Sequence, residues 1–95
     1  MHTPSIIHRT EDFSLYIASD GYYILLEDIC NLIGVDKKEL INFVGPEGID
    51  EFNIVGQKIV FINEYALSQL SSKYNTNKLI DEYNKATGEN IDHLH

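Results

Sequence analysis

From Phe13 to Ala18 apolar and polar residues alternate, with Phe13, Leu15 and Ile17 on one side. A period of two marks a half-buried strand. Asp20-Gly21 follows, a pair suited to the positive φ angles of a tight hairpin turn, and Tyr22 to Leu25 reads as the returning strand. The period then changes. In Leu26 to Gly45, LEDICNLIGVDKKELINFVG, residues Ile29, Cys30 and Ile33 fall three to four apart and share a helical face. Gly34 can end that helix in left-handed geometry. Asp36 and Glu39 have the D-x-x-E spacing of a capping box, and Leu40, Phe43 and Val44 point back toward the first helix. The pattern predicts a helix-turn-helix, the unit whose second helix often enters a DNA major groove.

Gly45-Pro46 stops the second of these helices, because proline disfavours helical geometry in the residue before it. Gly45 to Glu51 reads as an acidic loop. Phe52 to Val55 and Lys58 to Ile62 are two short apolar strands around Gly56-Gln57, a second hairpin. Asn63 can cap the helix that follows, with Ile62 and Leu67 placed as a hydrophobic staple. That helix is expected from about Glu64 to Tyr74, burying Leu67, Leu70 and Tyr74. Asn75 to Asn77 is a break, and Lys78 to Thr87 forms a last helix with Leu79, Ile80, Tyr83 and Ala86 inward before Gly88 ends it. Met1 to Ser5 reads as a loose lead-in and the tail after Gly88 as frayed. The expected architecture is one compact α+β domain over residues 1–95, ordered from about 6 to 88. Its order is ββ-αα-ββ-αα: two β-hairpins, a helix-turn-helix and two C-terminal helices.

Composition changes the functional picture more than the structural one. Apolar residues make up 43% of the chain, enough for one modest core. The net charge of −8 opposes non-specific nucleic-acid binding, which depends on Lys and Arg neutralising phosphates. Cys30 is the only cysteine, so no intramolecular disulfide can form and a reducing cytoplasm suits the chain. No apolar run is long enough to cross a bilayer.

A strand entering Asp28-Ile29-Cys30-Asn31-Leu32-Ile33-Gly34, then a charged second helix, then Val60-Phe61-Ile62-Asn63-Glu64 leading into a helix with Leu67 and Leu70, is similar to the BRO-N domain. That domain opens many phage antirepressors and baculovirus repeat proteins. The resemblance spans about Phe13 to Tyr83, and Asp20-Gly21 sits where the family usually carries its hairpin glycine. Two departures stand out: NTNK replaces the aromatic and basic residues that often precede the family's last helix, and the chain ends where longer antirepressors continue. The resemblance implies a viral or prophage-type regulator acting on DNA or on a repressor.

Two binding surfaces compete on the residues. For DNA, Lys37, Lys38 and Asn42 point away from the core on the second helix, and Lys58 sits where a wing would meet the backbone. Three lysines match about three phosphates, a weak grip for a monomer. Five carboxylates (Asp36, Glu39, Glu47, Asp50 and Glu51) lie among them, so a dimer would double the repulsion as well as the contacts. For protein, Tyr16, Tyr22 and Tyr23 surround the first hairpin, and Glu47, Asp50 and Glu51 line the acidic loop. A partner with a basic surface, such as a repressor or another nucleic-acid-binding protein, is the favoured expectation. A winged-helix DNA binder, and an acidic DNA mimic aimed at a host defence protein, are the alternatives.

Enzyme chemistry is disfavoured. There is no nucleophile elbow, phosphate-binding glycine loop or tandem CxxC, and no cofactor is expected. His93-x-His95 could trap a stray metal but lacks further ligands, and His2 and His8 are expected to precede the fold.

Overall fold

The structure, a computed structural model, describes residues 3–88. Five antiparallel strands form one sheet in the order β1-β2-β3-β5-β4: β1 (Ser5–Arg9), β2 (Ser14–Ala18), β3 (Gly21–Leu25), β4 (Ile49–Ile54) and β5 (Gln57–Asn63). Helices α1 (Leu26–Ile33) and α2 (Lys37–Val44) connect the two halves of the sheet, and α3 (Glu64–Leu70) and α4 (Asn77–Thr87) follow it. The mixed α/β domain expected from the pattern is therefore present. Its two hairpins are joined into a single sheet where β3 pairs with β5, Tyr23 opposite Asn63 and Leu25 opposite Phe61.

The register assigns the faces. Leu15, Ile24, Ile62 and Ile49 lie in one row across four strands. Leu15, Ile24 and Ile62 are buried in the core with Ile29, Leu40, Leu67, Leu70 and Leu79 from the helices. Tyr16, Tyr23, Phe52 and Phe61 occupy the opposite face, where their rings meet edge to face at 4.9–5.9 Å between centroids. Such edge-to-face pairs add stabilisation beyond the area they bury. The helices thus cover one side of the sheet, and an aromatic cluster closes over part of the other.

The helix-turn-helix forms as its pattern requires. Gly34 adopts φ 71°, and its N–H bonds to the Cys30 carbonyl, ending α1 in the left-handed geometry that favours glycine. The capping box is only half made. Asp36 accepts from the Lys38 N–H at 3.1 Å, whereas Glu39 turns away to accept from the Tyr74 hydroxyl at 2.8 Å. The start of α1 has no side-chain cap; Asp28 instead accepts from the Ser14 N–H at 2.9 Å and ties the helix to β2. Burial of Cys30 pushes its thiol pKa up, consistent with a small hydrophobe rather than a reactive group.

Several boundaries differ from the sequence pattern, each for a local reason. Ser5–Arg9 is a strand, where the pattern placed the end of a lead-in at Ser5 and no element before Phe13. A bulge between Ile6 and His8 breaks the alternation that would have revealed it. His8 consequently lies inside the fold, its ring 6.5 Å from that of Phe13. The acidic loop shrinks to a single 3-10 turn, Pro46–Gly48, and β4 begins at Ile49, so Asp50 and Glu51 are strand residues. Helix α3 ends at Leu70. The Ser72 hydroxyl beyond it donates to the Gln69 carbonyl at 2.7 Å, competing with helix continuation. The second hairpin turns at Val55-Gly56, one residue earlier than expected, with Val55 at φ 50° and 97% exposed.

Two of these features have measurable consequences. Gly48 is buried against α3, where an added Cβ would stand 2.5 Å from the Ala66 Cβ and 3.2 Å from that of Val44. Gly48→Ala should lower stability by about 1–3 kcal/mol in urea unfolding. Ala66→Gly in the same chain should relieve the clash, and a double variant no better than the additive sum would refute that cause. At the hairpin tip a β-branched residue holds a backbone conformation that asparagine tolerates better. Val55→Asn should therefore raise the unfolding midpoint, by about 1 kcal/mol in free energy.

Candidate functional site

Asn63 ends β5 and begins α3, and its side chain organises the surface around it. Its Oδ1 accepts from the Ala66 N–H at 3.2 Å, capping the helix as expected. Its Nδ2 donates to the Glu47 carbonyl and to Asp50 Oδ2, both at 2.9 Å. Beside it Glu64 reaches β3 and accepts from the Tyr22 N–H at 2.7 Å. That approach requires Gly21, where a Cβ would lie 2.7 Å from the Glu64 carboxylate and where φ is 136°. The Tyr23 hydroxyl donates to Asp20 Oδ2 at 2.7 Å.

These contacts bring Asp20, Tyr22, Tyr23, Asp50, Asn63, Glu64 and Tyr65 around one cleft of about 330 Å³. Three of the seven are carboxylates and none is basic. Tyr65 is 54% exposed at the edge. The field of the carboxylates is legible in Tyr23. Burial first, then its hydrogen bond to Asp20 and the negative charges of Asp20, Asp50 and Glu64, push its phenol well above the ordinary tyrosine range. Concave, negative and edged by an aromatic ring, the cleft offers acceptors to a cation and a flat apolar surface to its stem.

The proposed DNA-contacting residues lie at the other end of β5. Lys37, Lys38 and Asn42 are exposed on α2. Lys37 and Lys58 face a common groove of about 540 Å³, which Lys38 and Asn42 do not line. Each of the two lysines has a carboxylate beside it: Lys37 stands 3.5 Å from Glu27 and Lys58 stands 3.4 Å from Glu51. These pairs are well exposed and weak, yet each sets a negative charge beside the positive one that a phosphate would meet.

Of the expected protein-contact residues, Tyr22, Tyr23 and Asp50 line the acidic cleft, and Glu47 contributes its carbonyl beneath it. Glu51 is drawn to Lys58, and Tyr16 is half-buried against Phe61. Tyr22 points into the core side and meets Tyr83 at 5.9 Å. Sequence reasoning missed Asp20, Glu64 and Tyr65 as site residues. It read Asp20 as turn chemistry and Glu64 as the start of a helix. Only the pairing of Tyr23 with Asn63 puts them together.

His93-x-His95 falls outside the described residues. Among the described residues no group of three or more His, Cys, Asp and Glu side chains is arranged to hold a metal ion, and no helix is long and apolar enough to cross a membrane. Comparison of the chain with protein-family profiles, with curated proteins and with solved structures finds no match in any of the three.

The state of Tyr23 can be measured. Its raised pKa gives stability that is complete below the ordinary phenol value of about 10 and is lost as the pH rises above it, because the unfolded chain ionises first. In ultraviolet titration of the folded protein, Tyr23→Phe should leave the absorbance change near about pH 10 unaltered. A decrease equal to one tyrosine would show that Tyr23 ionises normally.

Proposed function

We propose that this chain is a non-catalytic regulatory domain of the phage antirepressor kind, which acts in the cytoplasm by occupying the basic surface of another protein. A repressor or other nucleic-acid-binding factor is the concrete partner. The observation that carries this reading is the cleft at the β5–α3 junction, where three carboxylates and the exposed ring of Tyr65 converge with no basic side chain among the lining residues. An arginine or lysine entering it would meet charge-assisted acceptors on three sides and stack on the tyrosine. Asp20, Asp50 and Glu64 are held by neutral donors rather than by cations, so an incoming cation displaces no ion pair from them. The chain's charge of −8 would also speed encounter with a basic partner.

The helix-turn-helix supports DNA binding less well. Lys37 and Lys58 are already paired with Glu27 and Glu51, and the remaining outward groups of α2 include the apolar Ile41.

Binding of a labelled arginine-rich peptide and of mixed-sequence duplex DNA should be followed by fluorescence anisotropy at low and moderate salt. The peptide should bind in a salt-sensitive manner, and Asp20→Asn with Tyr65→Ala should weaken it about tenfold or more. Duplex binding that is tighter than peptide binding, and that Lys37→Glu/Lys38→Glu abolishes, would favour the DNA-binding reading and defeat this one.

A further inference from the structure

At the end of the sheet nearest the second hairpin turn, apolar and polar residues face the reverse of the usual way. Along β4, Phe52 and Ile54 point away from the helices, whereas Glu51 and Asn53 lie on the helix side. The register sets Ile59 opposite Phe52 and Lys58 opposite Asn53, so β5 follows the same arrangement. An antiparallel sheet with one face in the core and one in water normally shows water its polar residues. Here the apolar ones take the face that no described helix covers. Every buried side chain of α1 to α4 joins the core around Leu15, Ile24 and Ile62, and Phe52, Ile54, Ile59 and Phe61 lie outside that core.

Past Asp50 the outward positions of β4 and β5 are Phe61, Phe52, Ile59, Ile54 and Gln57, a run without charge in a chain of which 23% is charged. Phe52, Ile59 and Ile54 are only half-buried, and the stripe ends at Val55, which is 97% exposed at the turn. Its other end is the acidic cleft: Asp50 and Tyr23 line that cleft, and the Tyr23 ring meets those of Phe52 and Phe61. A stable protein interface takes about 20–30 residues from each side, whereas seven line the cleft. Contact with a partner there must extend further, and interface cores are apolar and aromatic, as this stripe is.

We propose that this stripe docks an amphipathic helix of the basic partner, laid along β4 and β5, with its apolar side on Phe52, Ile54 and Ile59 and a lysine or arginine at one end seated in the cleft. The proposal rests on the cleft being the seat of a partner's cation. A bare apolar sheet face is covered by a helix or by a second sheet. A second copy of this chain would bring a further charge of −8 to a face edged by Asp20, Asp50 and Glu64, so a helix from a basic protein is the better match. The lengths agree. Strand β5 runs about 20 Å from Gln57 to Asn63, and a helix of about 13 residues spans the same distance. Such a helix presents anchors at i, i+4 and i+7 along the stripe, with the cation one turn beyond them.

Three fluorescein-labelled helical peptides test it. The first carries leucines at i, i+4 and i+7 with an arginine one turn beyond; the second replaces the leucines by glutamine; the third replaces the arginine by glutamate. Anisotropy should show the first binding at least about tenfold more tightly than the other two. Ile54→Gln/Ile59→Gln, shown to be folded by its amide spectrum, should weaken the first peptide about tenfold while leaving an unstructured arginine-rich peptide unaffected. Asp20→Asn/Tyr65→Ala should weaken both. A spin label at the arginine end should broaden the amides of Asp20 and Asn63, and one at the far end those of Ile54 and Val55. If the arginine-rich peptide binds and the leucines add nothing, the stripe is not a docking face and the reading of the cleft stands alone. If neither peptide binds, both readings fall. Equal binding of the glutamate-ended peptide would separate stripe from cleft, and self-association that shifts the Ile54 and Ile59 amides without peptide would make a second copy the occupant. Either result overturns the proposal.

Discussion

The antiparallel pairing of β3 with β5 is the constraint on which the rest of this structure depends. Three residue pairs join a hairpin from the first quarter of the chain to one from its middle, and everything between them must be accommodated by the connection. That connection is the helix-turn-helix, whose two short helices fold back over the sheet and fill its inner face. Asn63 closes the arrangement by bonding at once to the start of α3, to β4 and to the turn before it. Each bond has a net value of about 1 kcal/mol, but together they fix the angle at which α3 leaves the sheet. The short turn at Gly48 then packs directly against Ala66.

The shortness of that pairing also produces both surfaces of interest. Beyond Asn63 the strands end, and the first hairpin, which turns at Ser19-Asp20 rather than at the expected Asp20-Gly21, approaches α3 closely enough for Glu64 to reach the Tyr22 amide. Carboxylates from a turn, a strand and a helix start are thereby crowded around Tyr23. Before Phe61, β5 runs on past the end of β3, and the start of α1 at Leu26 stands beside Val60 along a groove of about 540 Å³.

Local patterning revealed most elements because each depends on residues close in sequence. Period-two alternation gives β2, a shift to helical spacing gives α1 and α2, and Asn63 caps α3 where its position suggests. What remained hidden depends on distant residues or on irregular backbone. The bulge at Ile7 conceals β1; Tyr74 diverts Glu39 from the cap of α2; and the hydroxyl of Ser72 helps end α3 a turn early. The candidate site was legible only in fragments. Tyr22, Tyr23 and Asp50 stood out by residue type, whereas Asp20, Glu64 and Tyr65 join them only through a pairing that no local pattern encodes.

The helix-turn-helix illustrates why geometry and function separate in a domain of this size. Its helix spacing, glycine turn and aspartate cap are required simply to bury Ile29, Leu40 and Val44 against the sheet. Reading DNA demands something additional: an outer face with more cations than anions and freedom from competing partners. Here the outer face carries Ile41 among lysines, and Lys37 is held by the first helix of the same motif. The motif is thus a scaffold whose outer face, through Lys37 and Ile41, also lines a groove beside β5.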